Sequence, residues 1–394
     1  MGKTVALLDE SIRMSIRSEG CVSIRAERKS CNLCQAACHK GCLKVMDDRI
    51  ELKHDDCTAC GICSAVCPCD VYGMPKSGYE NLSAVIQTLS ENGPEPLVFT
   101  CARNTNVGTE GDGGNRVVVV LNCLSMAGPG ILLEAAGAGF TSVTLEAPCE
   151  GCEVLEGEDV IRSRFEDAKP FFGQFKDVGF HLSIDGTVNA GSRGHDRAGL
   201  ASTRRGFFGA FRRFVASNVE KSIAPEVIQG TVPKGRLKPI PLPPERKNLN
   251  RYLKTEFEAK GGGHILSESD SIFRLVDVDA AACTVCHACG GFCPTGAIKR
   301  IESPQDVSLI LTPEKCVKCV VCKELCPKGA IRYQETFSAA SVLSGPRQLV
   351  ERKLHKCVSC ERPFQPVNGE ERCRGCVKLD KFTKTLMKQY ERRE

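Results

Sequence analysis

The sequence predicts a multidomain chain of α+β and α/β character. Two cysteine-dense blocks flank a parallel-sheet α/β segment, and a short four-cysteine knuckle closes the C-terminus. Three observations predict this. Cysteines recur at fixed short intervals near both ends of the chain. Between them cysteine thins out, and apolar strand-like runs alternate with helical ones. Residues 350–394 then carry two Cys-x-x-Cys pairs. The 394 residues suffice for two or three domains with cores of their own, and a net charge of +5 implies no nucleic-acid partner. The informative composition is 26 cysteines with no tryptophan. Met1–Glu10 lacks a charged region followed by an apolar one, and no run approaches membrane-span length. The class expected is a reduced, cytoplasmic, metal-loaded protein from an anaerobic setting, not a secreted disulfide protein.

The ruler for the cysteine blocks lies at residues 283–327. Cys283-Thr-Val-Cys286-His-Ala-Cys289-Gly-Gly-Phe-Cys293-Pro294 and Cys316-Val-Lys-Cys319-Val-Val-Cys322-Lys-Glu-Leu-Cys326-Pro327 are two complete C-x2-C-x2-C-x3-C-P runs. Close spacing brings three thiolates round one face of a cluster, and the proline turns the chain away. With the continuations Gly296-Ala-Ile298 and Gly329-Ala-Ile331, the pair resembles the dicluster ferredoxin family. The resemblance implies two 4Fe–4S clusters, with the fourth cysteine of each run crossing to the other. Cys283, Cys286, Cys289 and Cys326 would hold one, and Cys316, Cys319, Cys322 and Cys293 the second. This domain is set at residues 251–345, with short strands at Ile272–Val278 and Val307–Leu311.

In chain order, residues 1–20 are a short lead with a strand at Thr4–Leu8. An N-terminal ferredoxin-like dicluster domain is set at residues 16–80. Its second half, Cys57-Thr-Ala-Cys60-Gly-Ile-Cys63-Ser-Ala-Val-Cys67-Pro68, is regular. Its first half is altered. Counting back from Cys38, which His39 follows in place of proline, gives Cys34, Cys31 and then Arg28 where a cysteine belongs. Cys21, seven residues upstream, is read as the displaced ligand, with the chain looping past Ser23–Ser30. The sets are then Cys21, Cys31, Cys34 and Cys67 for one cluster, and Cys57, Cys60, Cys63 and Cys38 for the other. The alternative makes Cys42 the crossing ligand, although Cys38-His-Lys-Gly41 keeps the register of Cys293-Pro-Thr-Gly296. Cys42 and Cys69 are left over. The block is an internal repeat of residues 283–327.

Residues 81–185 change character. Pro96–Thr100 reads as a strand ending at Cys101, and Arg116–Leu121 as a buried parallel strand ending before Cys123. Pro129–Phe140 is a helix that turns Ile131, Leu132, Leu133 and Ala135 to the sheet. Thr141–Glu146 is a third strand, followed by Cys149-Glu-Gly-Cys152, and a further helix opens at Asp159–Phe165. Carboxyl ends of parallel strands form the site edge of an open sheet, so Cys101, Cys123, Cys149 and Cys152 should gather there. This order resembles the small iron–sulfur (delta-type) subunit of methyl-viologen-reducing hydrogenases. The resemblance implies a 2Fe–2S cluster on these four cysteines. The alternative is a set of buried core cysteines with a redox Cys-x-x-Cys pair. No GxGxxG fingerprint supports dinucleotide binding.

Residues 186–250 read as a linker. Gly186–Gly199 is rich in Gly and Ser. Ser202-Thr-Arg-Arg205-Gly-Phe-Phe208 is similar to a twin-arginine export signal, but its mid-chain place and charged continuation reject export. A helix is expected at Arg205–Ser222, with Phe207, Phe208, Phe211, Phe214 and Val215 on one face. It packs on its own protein or, alternatively, contacts a membrane surface or an acidic partner. Pro225–Pro244 is an extended spacer, and a helix re-enters at Arg246–Gly263. In the tail, residues 350–394, Cys357-Val-Ser-Cys360 and Cys373-Arg-Gly-Cys376 make a structural zinc site, the alternative being a fifth cube. Gly369 turns the chain between the pairs, His355 is a neighbour and not a ligand, and Lys378–Arg393 is a closing helix.

No paired carboxylates, Ser-His-Asp set, phosphate loop or flavin signature supplies substrate chemistry. The expected function is that of a non-catalytic electron-transfer subunit with four 4Fe–4S clusters, a 2Fe–2S cluster and zinc. It would connect a catalytic oxidoreductase subunit (formate dehydrogenase, hydrogenase, heterodisulfide reductase or molybdopterin type) to a second carrier. The alternatives are a reductase acting at Cys149 and Cys152, and an assembly factor for an anaerobic oxidoreductase.

Overall fold

The computed structural model describes residues 3–26, 31–91, 93–104, 115–149, 151–154, 157–184, 238–259, 265–267, 272–366 and 369–391. The helix expected at Arg205–Ser222, the Gly/Ser stretch and most of the proline spacer lie outside these residues. Two units are formed, one of Met1–Gly235 with Leu242–Glu256 and one of Arg236–Pro241 with Phe257–Glu394.

In chain order the first unit carries β1 (Lys3–Leu7), β2 (Ser15–Ile16), α1 (Val22–Arg25), α2 (Leu33–Ala36), β3 (Leu43–Val45), β4 (Ile50–Leu52), α3 (Ile62–Ala65) and β5 (Tyr72–Gly73). Then follow α4 (Tyr79–Ser90), β6 (Pro96–Cys101), β7 (Val117–Leu121), α5 (Pro129–Gly137), β8 (Ser142–Glu146), α6 (Gly157–Phe172), β9 (Gly179–Ser183) and α7 (Pro244–Ala259). Its sheet has five parallel strands in the order β1-β7-β6-β8-β9. The near-continuous apolar runs Leu97–Phe99 and Val117–Val119 are buried on both faces, as central parallel strands require. The sheet is wider than the three strands read from residues 81–185. The N-terminal lead enters it beside β7, and β9 closes the other edge. β9 gives a weak sequence signal because Phe180 and Leu182 alternate with exposed His181 and Ser183 over only five residues.

Helix α5 starts on Pro129, whose fixed φ suits a first helical position, and buries Ile131, Leu132, Leu133 and Ala135. It packs between α4 and α6. α7 returns to this layer. Both Glu245 carboxylate oxygens accept from Arg164 of α6 (3.1 and 3.0 Å), and one also accepts the Gly130 N–H (3.1 Å). The Tyr252 hydroxyl donates to the Leu133 carbonyl (2.9 Å) and the Asn248 amide to Glu134 (2.7 Å). Buried Asp9 pins the carboxyl end of β1. It accepts from the Lys76 N–H (2.7 Å), the Ser77 N–H (2.9 Å) and the Ser77 hydroxyl (2.5 Å).

The second unit carries β10 (Ile265–Ser267), β11 (Val276–Val278), α8 (Ala288–Gly291), β12 (Ile298–Glu302), β13 (Asp306–Leu311), α9 (Val321–Glu324) and β14 (Ile331–Tyr333). It continues with β15 (Thr336–Ser338), α10 (Ala339–Leu343), β16 (Arg347–Lys353), β17 (His355–Lys356), β18 (Pro363–Phe364) and α11 (Arg374–Glu391). Its core arrangement repeats one in the first unit. Antiparallel β11–β14 corresponds to β2–β5, hairpin β12–β13 to β3–β4, and the pair of one-turn helices α8 and α9 to α2 and α3. Here β16 widens the hairpin to three strands. No helix among the described residues is long and apolar enough to cross a membrane.

Candidate metal-binding thiol sites

Sharp backbone turns aim the thiols of the regular runs. Ala59 and Gly61 flank Cys60 at φ +52° and +81°, Val285 and His287 flank Cys286 at +48° and +79°, and Lys318 and Val320 flank Cys319 at +55° and +56°. Side chains rarely adopt this region, and β-branched valine least of all. Such strain persists where the surroundings over-determine the loop, and it concentrates at ligand clamps. In two of the runs the first cysteine accepts the same bond, Ala59 N–H to Cys57 Sγ and Val285 N–H to Cys283 Sγ, each 3.4 Å.

These loops bring cysteines from separate runs round common cavities. In the second unit Cys283, Cys286, Cys289 and Cys326 line a space of about 320 Å³, counting the part open to solvent. Cys293, Cys316, Cys319 and Cys322 line one of about 370 Å³. The fourth cysteine of each run thus stands with the first three of the other. Helix α8 supplies Cys289 and α9 supplies Cys322, and burial pushes both thiols up, Cys289 to about 12, with neighbouring thiols adding to the effect. Cys289 is among the neighbours acting on Cys322, so the two cavities adjoin.

The first unit repeats this. Cys21, Cys31, Cys34 and Cys67 come together: burial raises Cys67 to about 12, with Cys34 and Cys21 adding, and Cys21 feels Cys34 and Cys31 in turn. The long loop from Cys21 is closed by Ser23, whose hydroxyl donates to the Cys31 carbonyl (2.7 Å) and accepts its N–H (2.9 Å). Cys57, Cys60 and Cys63 line a cavity of about 330 Å³ together with both Cys38 and Cys42. Cys69 is buried nearby, its backbone N–H directed at the Cys67 sulfur. Cys63 is raised by burial and by Cys60, Cys57 and then Cys34, so these two sites also adjoin.

Cys101 ends β6, Cys123 follows β7, and Cys149 and Cys152 follow β8, all at the carboxyl edge. β7 and β8 flank β6 on opposite sides, which makes this edge a topological switch point. Burial raises Cys149 to about 12, and Cys123, Cys101 and Cys152 follow as causes. This group also reaches the N-terminal block, since Cys60, raised to about 11 chiefly by burial, carries Cys123 among its causes. Gly61 permits the approach: a Cβ there would stand 2.6 Å from the Met126 sulfur, in the turn after Cys123. Three thiol groups therefore form a continuous series inside the first unit.

The tail differs in scale. Cys357, Cys360, Cys373 and Cys376 place their sulfurs within 4.8 Å of one another, the one such group of possible metal ligands among the described residues. Cys357–Cys376 and Cys360–Cys373 are 3.8 Å apart. A tetrahedral ion with bonds of 2.3 Å sets its sulfurs about 3.8 Å apart, so one ion fits this group as it stands. The other thiol sets do not close to this spacing. Gly369, at φ +76°, makes the turn between the pairs, and exposed His355 lies outside the four sulfurs. All these sets are suited to metal, and loading must displace thiol protons.

Two tyrosines were not anticipated. Buried Tyr72 adjoins Cys34 and feels Cys63 and Cys67, and Tyr333 adjoins Cys322 and feels Cys316. They occupy the corresponding strands β5 and β14, and a tyrosine a few residues after Cys67-Pro68 and after Cys326-Pro327 was the available signal. The chain matches no protein-family model and no curated protein.

Proposed function

We propose that the protein is an iron–sulfur electron carrier, with two dicluster ferredoxin-like modules, a delta-type site at the sheet edge and a structural zinc tail. The observation that carries this reading is the exchange of fourth cysteines, Cys326 standing with Cys283, Cys286 and Cys289, and Cys293 with Cys316, Cys319 and Cys322. That exchange is what two 4Fe–4S clusters held by tandem runs require. Among the described residues only the tail thiols close to the spacing of a single-ion site, and the N-terminal block repeats the same elements. When bound, the clusters would supply one-electron storage at successive stations. The chain's own part is to hold the thiolates, to exclude water through walls such as Leu309, Ala330 and Ile331, and to set tyrosine hydroxyls near Cys34 and Cys322. Polar contacts to sulfur and burial tune cluster potential.

On this reading the four cysteines at the sheet edge hold a 2Fe–2S cluster adjoining the N-terminal module. The protein passes electrons between a catalytic oxidoreductase subunit and a second carrier. Anaerobic purification with iron, sulfide and zinc counted per chain tests it. About sixteen irons from four cubes, about two from the sheet-edge site and about one zinc are expected. Fewer than about eight irons with abundant zinc overturns it.

A further inference from the structure

The turn after Cys38 carries a thiol that its counterpart lacks. Cys38-His-Lys-Gly41-Cys42 and Cys293-Pro-Thr-Gly296-Ala297 align without a gap. Both close the same turn: the Gly41 N–H donates to the Cys38 carbonyl (2.9 Å), and the Gly296 N–H to the Cys293 carbonyl (3.2 Å). The two glycines sit at φ +58° and +65°. The residue after the glycine is thereby brought to the cavity wall. In the second unit it is Ala297, a methyl beside Cys293. In the first it is Cys42, which is 5% exposed, with its sulfur 3.3 Å from that of Cys38. Cys57 acts electrostatically on Cys42 from across the site. Five cysteines face one cavity, whereas a 4Fe–4S cluster takes four.

We propose that Cys38 and Cys42 share one corner of this site, either sulfur serving as ligand while the other keeps its proton. The proposal deepens the electron-carrier reading and rests on it. Exchange breaks one iron–sulfur bond, forms another and moves one proton across the gap between the sulfurs; no electron is consumed. The site therefore tolerates loss of either thiol, and the site of Cys293 does not.

The test is anaerobic purification of the full chain as wild type, Cys38→Ala, Cys42→Ala, the double variant and Cys293→Ala, with iron and sulfide counted. Each of the first two single variants should keep the wild-type count. The double variant and Cys293→Ala should each lose about four irons. Loss of about four irons from only one of Cys38→Ala and Cys42→Ala overturns the shared corner, as does an unaltered count in the double variant, and both leave the electron-carrier reading standing. An iron-free wild type overturns that reading and this proposal together. Where a variant does not fold, anaerobic alkylation of the loaded wild type decides. Label divided between Cys38 and Cys42, summing to about one thiol, is expected because one cube binds four cysteines. Label on one alone, or on neither, overturns the proposal.

Discussion

Ala59 and Gly61 flank the same cysteine with the same left-handed backbone, yet their substitutions should act in opposite directions. Ala59→Gly removes the steric cost of a Cβ at φ +52° and loses only one methyl, so it should stabilise the protein by roughly 0.5–1 kcal/mol in denaturant unfolding. Gly61→Ala adds that cost and drives a methyl onto Met126, so a loss of about 1–3 kcal/mol is expected. In the tail, the Cys373 N–H donates to Cys357 Sγ (3.2 Å) and holds that thiol down to about 6. At neutral pH Cys357 is already a thiolate ready for metal. Cys376, pushed up to about 12 by hydrogen bonding with Cys360 and Cys373, keeps a proton that zinc must displace throughout this range. Below about 6 Cys357 adds a second, so zinc affinity, read against a chromophoric chelator, should fall more steeply with pH below 6 than above it. A slope that does not steepen between pH 7 and about 5 would contradict the role of this hydrogen bond.

Among the elements, α7 shows how a helix distant in sequence completes a layer. Glu245 satisfies Arg164 and the Gly130 N–H at once. Glu245→Ala leaves a half-buried guanidinium without this carboxylate, and should cost about 1–3 kcal/mol. Faster amide exchange in α5 and α6 would report it, and unchanged exchange there would show that α7 docks without the Glu245 contacts. The one-turn helices α2, α3, α8 and α9 are too short to be stable by themselves. Three of them, α3, α8 and α9, start from a left-handed residue of the cysteine loop (Gly61, His287 and Val320), so loading with metal, and not helix propensity, should decide their order.

Across the whole molecule, the two scales of thiol spacing predict different responses to a chelator. On the electron-carrier reading, EDTA should remove zinc from the tail and loosen residues 355–366 and 369–376 in amide exchange while the iron count stays constant. Loss of iron in parallel would show that the tail and the wider sites are not separate. Within the first unit, thiols act on one another electrostatically between Cys34 and Cys63 and between Cys60 and Cys123, and within the second between Cys289 and Cys322. On the electron-carrier reading, each unit then holds clusters close enough for their spins to interact when reduced. Magnetic resonance spectra free of such interaction would count against it.

The sequence by itself determined what is local or periodic. Strand ends at Cys101 and before Cys123 could be read because buried parallel strands are near-continuous apolar runs, and the end before Cys149 because Val143 and Leu145 alternate with polar residues. The tail pairs could be read because Cys-x-x-Cys confines two sulfurs to one turn. The tertiary structure alone decided what depends on through-space neighbours. It placed β1 beside β7 and α7 on α6, and brought Cys60 near Cys123, contacts separated by tens of residues that leave no spacing signature. Cys42 is the sharpest case. Counting intervals offered it only as an alternative to Cys38, because register is read along the chain, whereas a ligand's place depends on where a turn at Gly41 points the next side chain. The turn carries its sulfur to within 3.3 Å of Cys38, so that proximity in space, and not spacing in sequence, makes it part of the site.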